Sequence, residues 1–185
     1  MRAPFIKATS DMTVFKDLIT PAVFKKTLTF KRNELVKSSG TVDSKIYFIK
    51  KGSLKISIFQ LDAEQIIRLG YTGDLIVAMD SFFDACNSDF VIQAIKKTEV
   101  LVAEKEDFMN FVYDSHENTS LYINILEGLV KQQLEREQDL LQDSPKIRYE
   151  RVFKRNPLLF QIIPNKHIAN YLRMTPETFS RISKS

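Results

Sequence analysis

Residues 163–184 read IPNKHIANYLRMTPETFSRISK. The stretch predicts two short helices joined by a tight turn. Ile168, Ala169 and Leu172 give the first helix an apolar side, and Met174 belongs to the turn. Thr175 is placed to cap the second helix, with Pro176 at its first position, where a missing N–H is harmless. Phe179 and Ile182 share one face, while Glu177, Thr178, Arg181 and Lys184 stay outside it. Two helices, a short turn and a second helix with a free polar face are the layout of a helix-turn-helix. The small Ala169 lets the pair approach closely. An ordinary αα-hairpin shares this outline, so the charge around it carries weight.

That charge is lopsided. From Pro145 to Ser185 nine lysines and arginines face two glutamates, Glu150 and Glu177, although the whole chain of 185 residues carries only +4. The segment is therefore +7 and the remainder −3. A basic unit on a slightly acidic body is the footprint of a polyanion binder.

Upstream, Lys45–Phe59 (KIYFIKKGSLKISIF) predicts two strands around a Lys-Lys-Gly turn, with Leu54, Ile56 and Ile58 alternating with Lys55 and Ser57. Glu64–Val77 follows with Gly70 and Gly73 as turn positions. Asp89–Phe108 gives two more short strands, with Phe90, Ile92 and Ala94 on one side of the first and Val100 and Val102 on one side of the second. Short strands at close spacing without α/β alternation predict a sandwich or rolled-up barrel. A short helix is expected over Glu104–Ser115. A long one is expected from Asn118 to about Leu141, its apolar residues covering an arc of roughly 220°, about twice the stripe of a one-sided helix. Such a helix buries two faces, one on its own domain and the other on a second copy, with Tyr122, Ile125, Leu126 and Leu129 as the dimer residues. Burial between two domains of one chain is the alternative. Ser144-Pro145 starts the next helix and Asn156-Pro157 ends it. The expected division is a β-domain over 1–117, a dimerisation helix over 118–143 and a DNA-binding unit over 144–185.

The terminal stretch, together with YFIKKGSLKISIF, GDLI and FVIQAIKKTEVLVAEKEDF, resembles the Crp–Fnr family of bacterial transcription regulators. The likeness runs from about Phe15 to Lys184 and rests on the order of parts. It implies an α+β chain: an N-terminal double-stranded β-helix (a jelly-roll-like sensor), a dimerisation helix and a small C-terminal helix-turn-helix that binds a palindromic operator in double-stranded DNA. A homodimer is implied, and RNA polymerase is a candidate partner. On that reading Arg181 donates to a guanine edge or phosphate and Glu177 accepts from a cytosine amine. Thr175, Thr178 and Ser180 lie on the same helix, and Asn165, Lys166 and Lys184 contact the backbone.

The sequence departs from the family in two places. Arg173 stands where the turn usually carries glycine, so a side chain must tolerate positive φ. The phosphate-binding cassette is also altered. Nucleotide-binding members use Gly-Glu for ribose and Arg-Ser or Arg-Thr for the cyclic phosphate. Here the pairs read Gly73-Asp74 and Ser88-Asp89, and no arginine or lysine lies between Gly73 and Ala94. The resemblance thus implies an effector pocket around Gly73, Asp74, Leu75, Phe82, Phe83, Ser88 and Asp89 that does not take cyclic AMP in the usual way. An uncharged or apolar effector, or none, is expected; Lys96 and Lys97 lie just beyond the cassette.

No catalytic signature is present: no GxSxG, P-loop or GxGxxG. His116, His167 and Cys86 have no metal-ligand spacing, and Asp80, Asp84 and Asp89 read as an acidic surface loop. No enzyme activity, metal or resident cofactor is expected. A single cysteine, no membrane-length apolar run and no apolar segment in MRAPFIKATSDMTVF favour a cytoplasmic protein. The second reading is a ligand-binding or protein-interaction module with a vestigial helix-turn-helix.

Overall fold

The structure is a computed structural model that describes residues 18–61 and 63–184. The parts of the expected β-domain at 1–17, Phe15 included, lie outside the described residues.

Among the described residues, eight strands form two antiparallel four-stranded sheets. They are β1 (Lys26–Phe30), β2 (Leu35–Lys37), β3 (Lys45–Lys51), β4 (Ser53–Gln60), β5 (Ala63–Tyr71), β6 (Leu75–Ile76), β7 (Val91–Ala94) and β8 (Thr98–Glu104). The sheet orders are β1-β8-β3-β6 and β2-β7-β4-β5. Ile49, Leu54, Ile76, Ile92 and Val100 fill the space between the sheets. The crossing from β3 to β4 is made at Gly52, with φ 115°, where a Cβ would lie 2.5 Å from the Thr98 hydroxyl. This is the rolled-up β-domain expected from the alternating runs, in the α+β class that the resemblance implies.

Strands β3 and β8 are covered on both faces. Tyr47, Ile49, Val100 and Val102 point into the roll. Ile46, Phe48 and Ala103 point outward, onto α2 (Lys105–Asp114) and α3 (His116–Leu140), where Phe108, Val112 and Ile125 complete a second core. Ser115 caps α3 by accepting from the Asn118 amide, so the helix starts two residues before the expected Asn118.

Two parts of the sequence reading are corrected. The segment read as an acidic surface loop contains α1 (Met79–Asp84), because Phe82 drives a helical turn into the core and packs edge-to-face on Phe108 at 6.2 Å. Of the residues expected at a dimer face, Ile125 is buried against the chain's own roll; Tyr122 and Leu129 pack on it with part of their surface open, and Leu126 lines a cavity beside it. The apolar residues exposed on α3 are Ile123, Val130 and Leu134, with Leu141 at its C-cap.

The remaining helices are α4 (Pro145–Arg155), α5 (Pro157–Ile162), α6 (Asn165–Tyr171) and α7 (Pro176–Ile182). Ser144 and Asn156 cap α4 and α5 by accepting from the amides of Ile147 and Leu159, each with proline at the start. Val152, Leu159, Ile163, Ile168, Leu172 and Phe179 form a third core. Tyr71 and Ile95 of the roll belong to it too, so the C-terminal unit is fastened to the roll.

Candidate nucleic-acid interface and internal cavity

The helical pair forms through local chemistry. The Arg173 amide donates to Asn170 O and the Met174 amide to Ala169 O, both at 3.0 Å, closing α6 with a Schellman-type turn. That turn needs a left-handed residue, and Arg173 supplies it at φ 55° without being glycine. Arg148 of α4 supports the strained turn. Its guanidinium donates to the carbonyls of Leu172 and Arg173 on one side, and to those of Gln142 and Asp143 on the other. Thr175 then caps α7 by accepting from the Thr178 amide at 3.2 Å.

Phe179 is sealed in the core, whereas Glu177, Arg181 and Lys184 are exposed and Thr178 and Ser180 are partly so. Pro176, Glu177, Ser180, Arg181 and Lys184 line one shallow hollow. The Glu177 carboxyl is held below the ordinary carboxylate range by the helix-start backbone amide and the Thr175 side chain. Asn165 and Lys166 are exposed at the start of α6. All eight residues expected to touch DNA therefore lie on α6, α7, or the residues capping and following α7.

Helix α6 is also latched to β5. The Asn170 side chain accepts from the Ile66 amide at 2.7 Å and donates to the Glu64 carbonyl at 2.9 Å. Arg136 of α3 donates to the Ile66 carbonyl and lies over the Tyr171 ring at 4.9 Å. Buried Asp139 accepts from Arg151 and Arg155, joining α3 to α4.

The expected effector residues divide. Asp74, Leu75, Phe82 and Phe83 line a narrow chamber of about 70 Å³ between the roll and α3, with Phe108, Tyr122 and Leu126. Asp74 also lines an adjoining cavity of about 670 Å³, which reaches α4 and α5 through Arg155, Asn156 and Leu159. Its carboxylate accepts from the Tyr71 amide at 2.9 Å, and burial pushes its pKa up to about 6.

Gly73, Ser88 and Asp89 line neither space. Gly73 makes the β5–β6 turn at φ 97°, its amide bonded to Ile49 O. Ser88 is pinned in a bridge to Thr41, its hydroxyl accepting from the Phe90 amide. Asp89 is exposed, as are Lys96 and Lys97. The buried Lys37 ammonium closes this region by donating to the carbonyls of Ser38, Ser88 and Phe90 at 2.7–2.9 Å.

Sequence reasoning missed Arg68. It lies outside the cassette, on β5, and lines both cavities beside Asp74. A bulge puts it there. Arg68 pairs with Ile56 and Ile66 with Ser57, leaving Ile67 as the extra residue. Arg68 therefore shares the inner face with Ile56, while Ile66 and Leu69 turn outward toward α6. An arginine inside the apolar run IIRLGY was the available signal.

Residues 27–115 match the family model of the Cyclic nucleotide-binding domain. The chain is similar in fold to FixK2 from Bradyrhizobium japonicum, with TM-score 0.70, 15% identity and coverage of 86% of this chain and 82% of that one. It is similar to a mutant of CooA from Carboxydothermus hydrogenoformans, with TM-score 0.67, 16% identity and coverage of 100% and 84%. It is also similar to a transcriptional regulator of the CRP family from Thermus thermophilus, with TM-score 0.63, 14% identity and coverage of 85% and 82%. No curated protein matches the sequence. The roll is thus a cyclic nucleotide-binding domain in fold. The chain as a whole shares the fold of these three solved structures.

Proposed function

We propose that this chain is a dimeric, sequence-specific DNA-binding regulator that acts on double-stranded DNA through α7 and senses an effector through its roll. The observation that carries the reading is the outward face of α7. It is a capped helix bearing Glu177, Ser180 and Arg181, set in a strongly basic unit, with its apolar side buried. Such a face fits a major groove, where Arg181 addresses a guanine and Glu177 a cytosine.

The exposed row Ile123, Val130, Leu134 and Leu141 recurs at heptad spacing along α3 and supports pairing with a second copy. Two copies would present two recognition helices to a palindromic site. RNA polymerase is the further partner this role implies. Among the described residues no helix is long and apolar enough to cross a membrane, and cytoplasmic location is part of the proposal.

The proposed effector meets Asp74 of the altered cassette but not its second pair, since Ser88 and Asp89 do not line the cavity. No catalytic role is assigned to any residue. A gel shift with genomic fragments tests the reading. Discrete, competitor-resistant complexes are expected. Failure to retain any fragment at low salt would favour a ligand-binding module with an inactive helical pair.

A further inference from the structure

Arg68 is an unusual residue for the wall of a cavity. Among the described residues its guanidinium makes no hydrogen bond and no ion pair. Asp74 and Tyr171 act on it only electrostatically, and burial pulls its pKa down from the ordinary value. Arginine nevertheless keeps its proton, so half-buried Arg68 presents a positive charge to the cavities with no protein acceptor on it. A second cation stands nearby on α3. Arg136 lines the larger cavity, and its Nε is buried without an acceptor.

The two cavities share Arg68, Asp74, Val77, Met79, Leu129 and Gln132 as a common wall. On one side is the apolar chamber, at about 70 Å³ several times the space one water needs. On the other is the larger space, where Lys154 and Arg155 join Arg68 and Arg136 against the carboxylates Asp74 and Glu135. A guanidinium at the mouth of an apolar chamber matches a molecule with one anionic end and an apolar body. Arg155 is already paired with Asp139 and Glu135, and Lys154 is exposed, so Arg68 is the inward cation that a single negative charge would meet.

We propose that this paired cavity binds a monoanionic organic acid, its carboxylate held by Arg68 and its alkyl or aromatic body lying in the larger cavity with its end reaching into the chamber lined by Phe82, Phe108, Tyr122 and Leu126. The assignment rests on the proposed reading of the roll as the sensing unit and gives that unit a ligand class. It replaces the uncharged effector expected from the cassette alone. Because the larger cavity is walled by β5, α3, α4 and α5, an occupant would touch the roll, the long helix and the DNA-binding unit together.

Titration calorimetry on the full chain, without DNA, tests the ligand separately from DNA recognition. The probes are octanoate, decanoate and phenylacetate, each against its primary amide, with cyclic AMP as a further arm. At least one acid should bind saturably at one site per chain, and its amide about tenfold or more weaker, the loss of a charge-assisted pair. Arg68→Gln should weaken the acid by a similar factor, leave the amide unchanged and raise the melting temperature of the ligand-free protein. The acid–amide comparison on the unaltered chain decides the matter even if that variant folds poorly. Equal affinity of acid and amide would overturn the proposal. So would no saturable acid binding, an unaffected Arg68→Gln variant, or Arg68-dependent binding of cyclic AMP tighter than of any acid.

Discussion

The Asn170 side-chain oxygen accepts a 2.7 Å hydrogen bond from the Ile66 amide, across 104 residues of sequence. The side-chain nitrogen of Asn170 donates to Glu64 O, so one side chain satisfies two backbone groups on the free edge of β5, beside the bulge at Ile67. This is the latch between α6 and the edge of the roll.

Removing the latch should be felt by both units. Asn170→Ala leaves a half-buried N–H and C=O unpaired and should destabilise the chain by about 1–3 kcal/mol. The measurement is denaturant unfolding together with amide exchange at Ile66. Unchanged stability and an equally protected Ile66 amide would show that the latch contributes nothing.

Recognition and folding are separable on α7. Arg181 is exposed and makes no structural contact needed by the core, so Arg181→Ala should cost about 1–3 kcal/mol of DNA affinity and relax specificity at one position. Thr175→Ala removes the cap and should instead cost about 1 kcal/mol of stability. Fluorescence anisotropy with a footprinted site, paired with thermal melts, distinguishes the two. Full affinity and unchanged preference in Arg181→Ala would mean that α7 is not the reading helix.

Assembly should depend on the outer row of α3. Val130→Glu or Leu134→Glu places a carboxylate where a second copy is proposed to pack, and should yield folded monomers in analytical ultracentrifugation. Ile125→Glu should damage the fold itself, because Ile125 is in the core shared by the roll and α2. A dimer indifferent to charge at both outer positions would place the contact elsewhere.

Asp74 gives a pH signature. Its folded pKa, about 6, lies above the ordinary 3.8, so the folded state holds this proton more tightly than the unfolded chain. The resulting stabilisation is full below about pH 3.8 and is lost as pH rises through about 6, a change of up to about 3 kcal/mol. Asp74→Asn mimics the protonated form. It should match the unaltered protein at low pH and exceed it in stability above pH 6. An advantage that does not grow with pH would show that Asp74 is not the group titrating there.

Much of the architecture was legible because it is written in local signals. The period-2 runs around Leu54 and Val100, the Ser144-Pro145 and Asn156-Pro157 starts and the Thr175 cap each act within a few residues. What stayed hidden depends on distant partners. The orientation of α3 is not legible in sequence because a wide apolar arc does not say which side meets the roll, and only the fold places Ile125 in one core with Phe108 and Phe48. Phe82 looked like a loop residue because its helix is stabilised by Phe108, 26 positions away. Arg68 was missed because one extra residue in β5 changes which neighbours share its face, and no pattern within β5 announces a bulge.

The most direct test of the account is footprinting of the unaltered protein on genomic fragments retained in a gel shift. The account predicts protection over a palindromic site with two half-sites about 34 Å apart, one helical turn, and loss of that footprint in Val130→Glu. Protection of a single half-site with unchanged affinity in Val130→Glu, or no discrete footprint on any fragment, would contradict it.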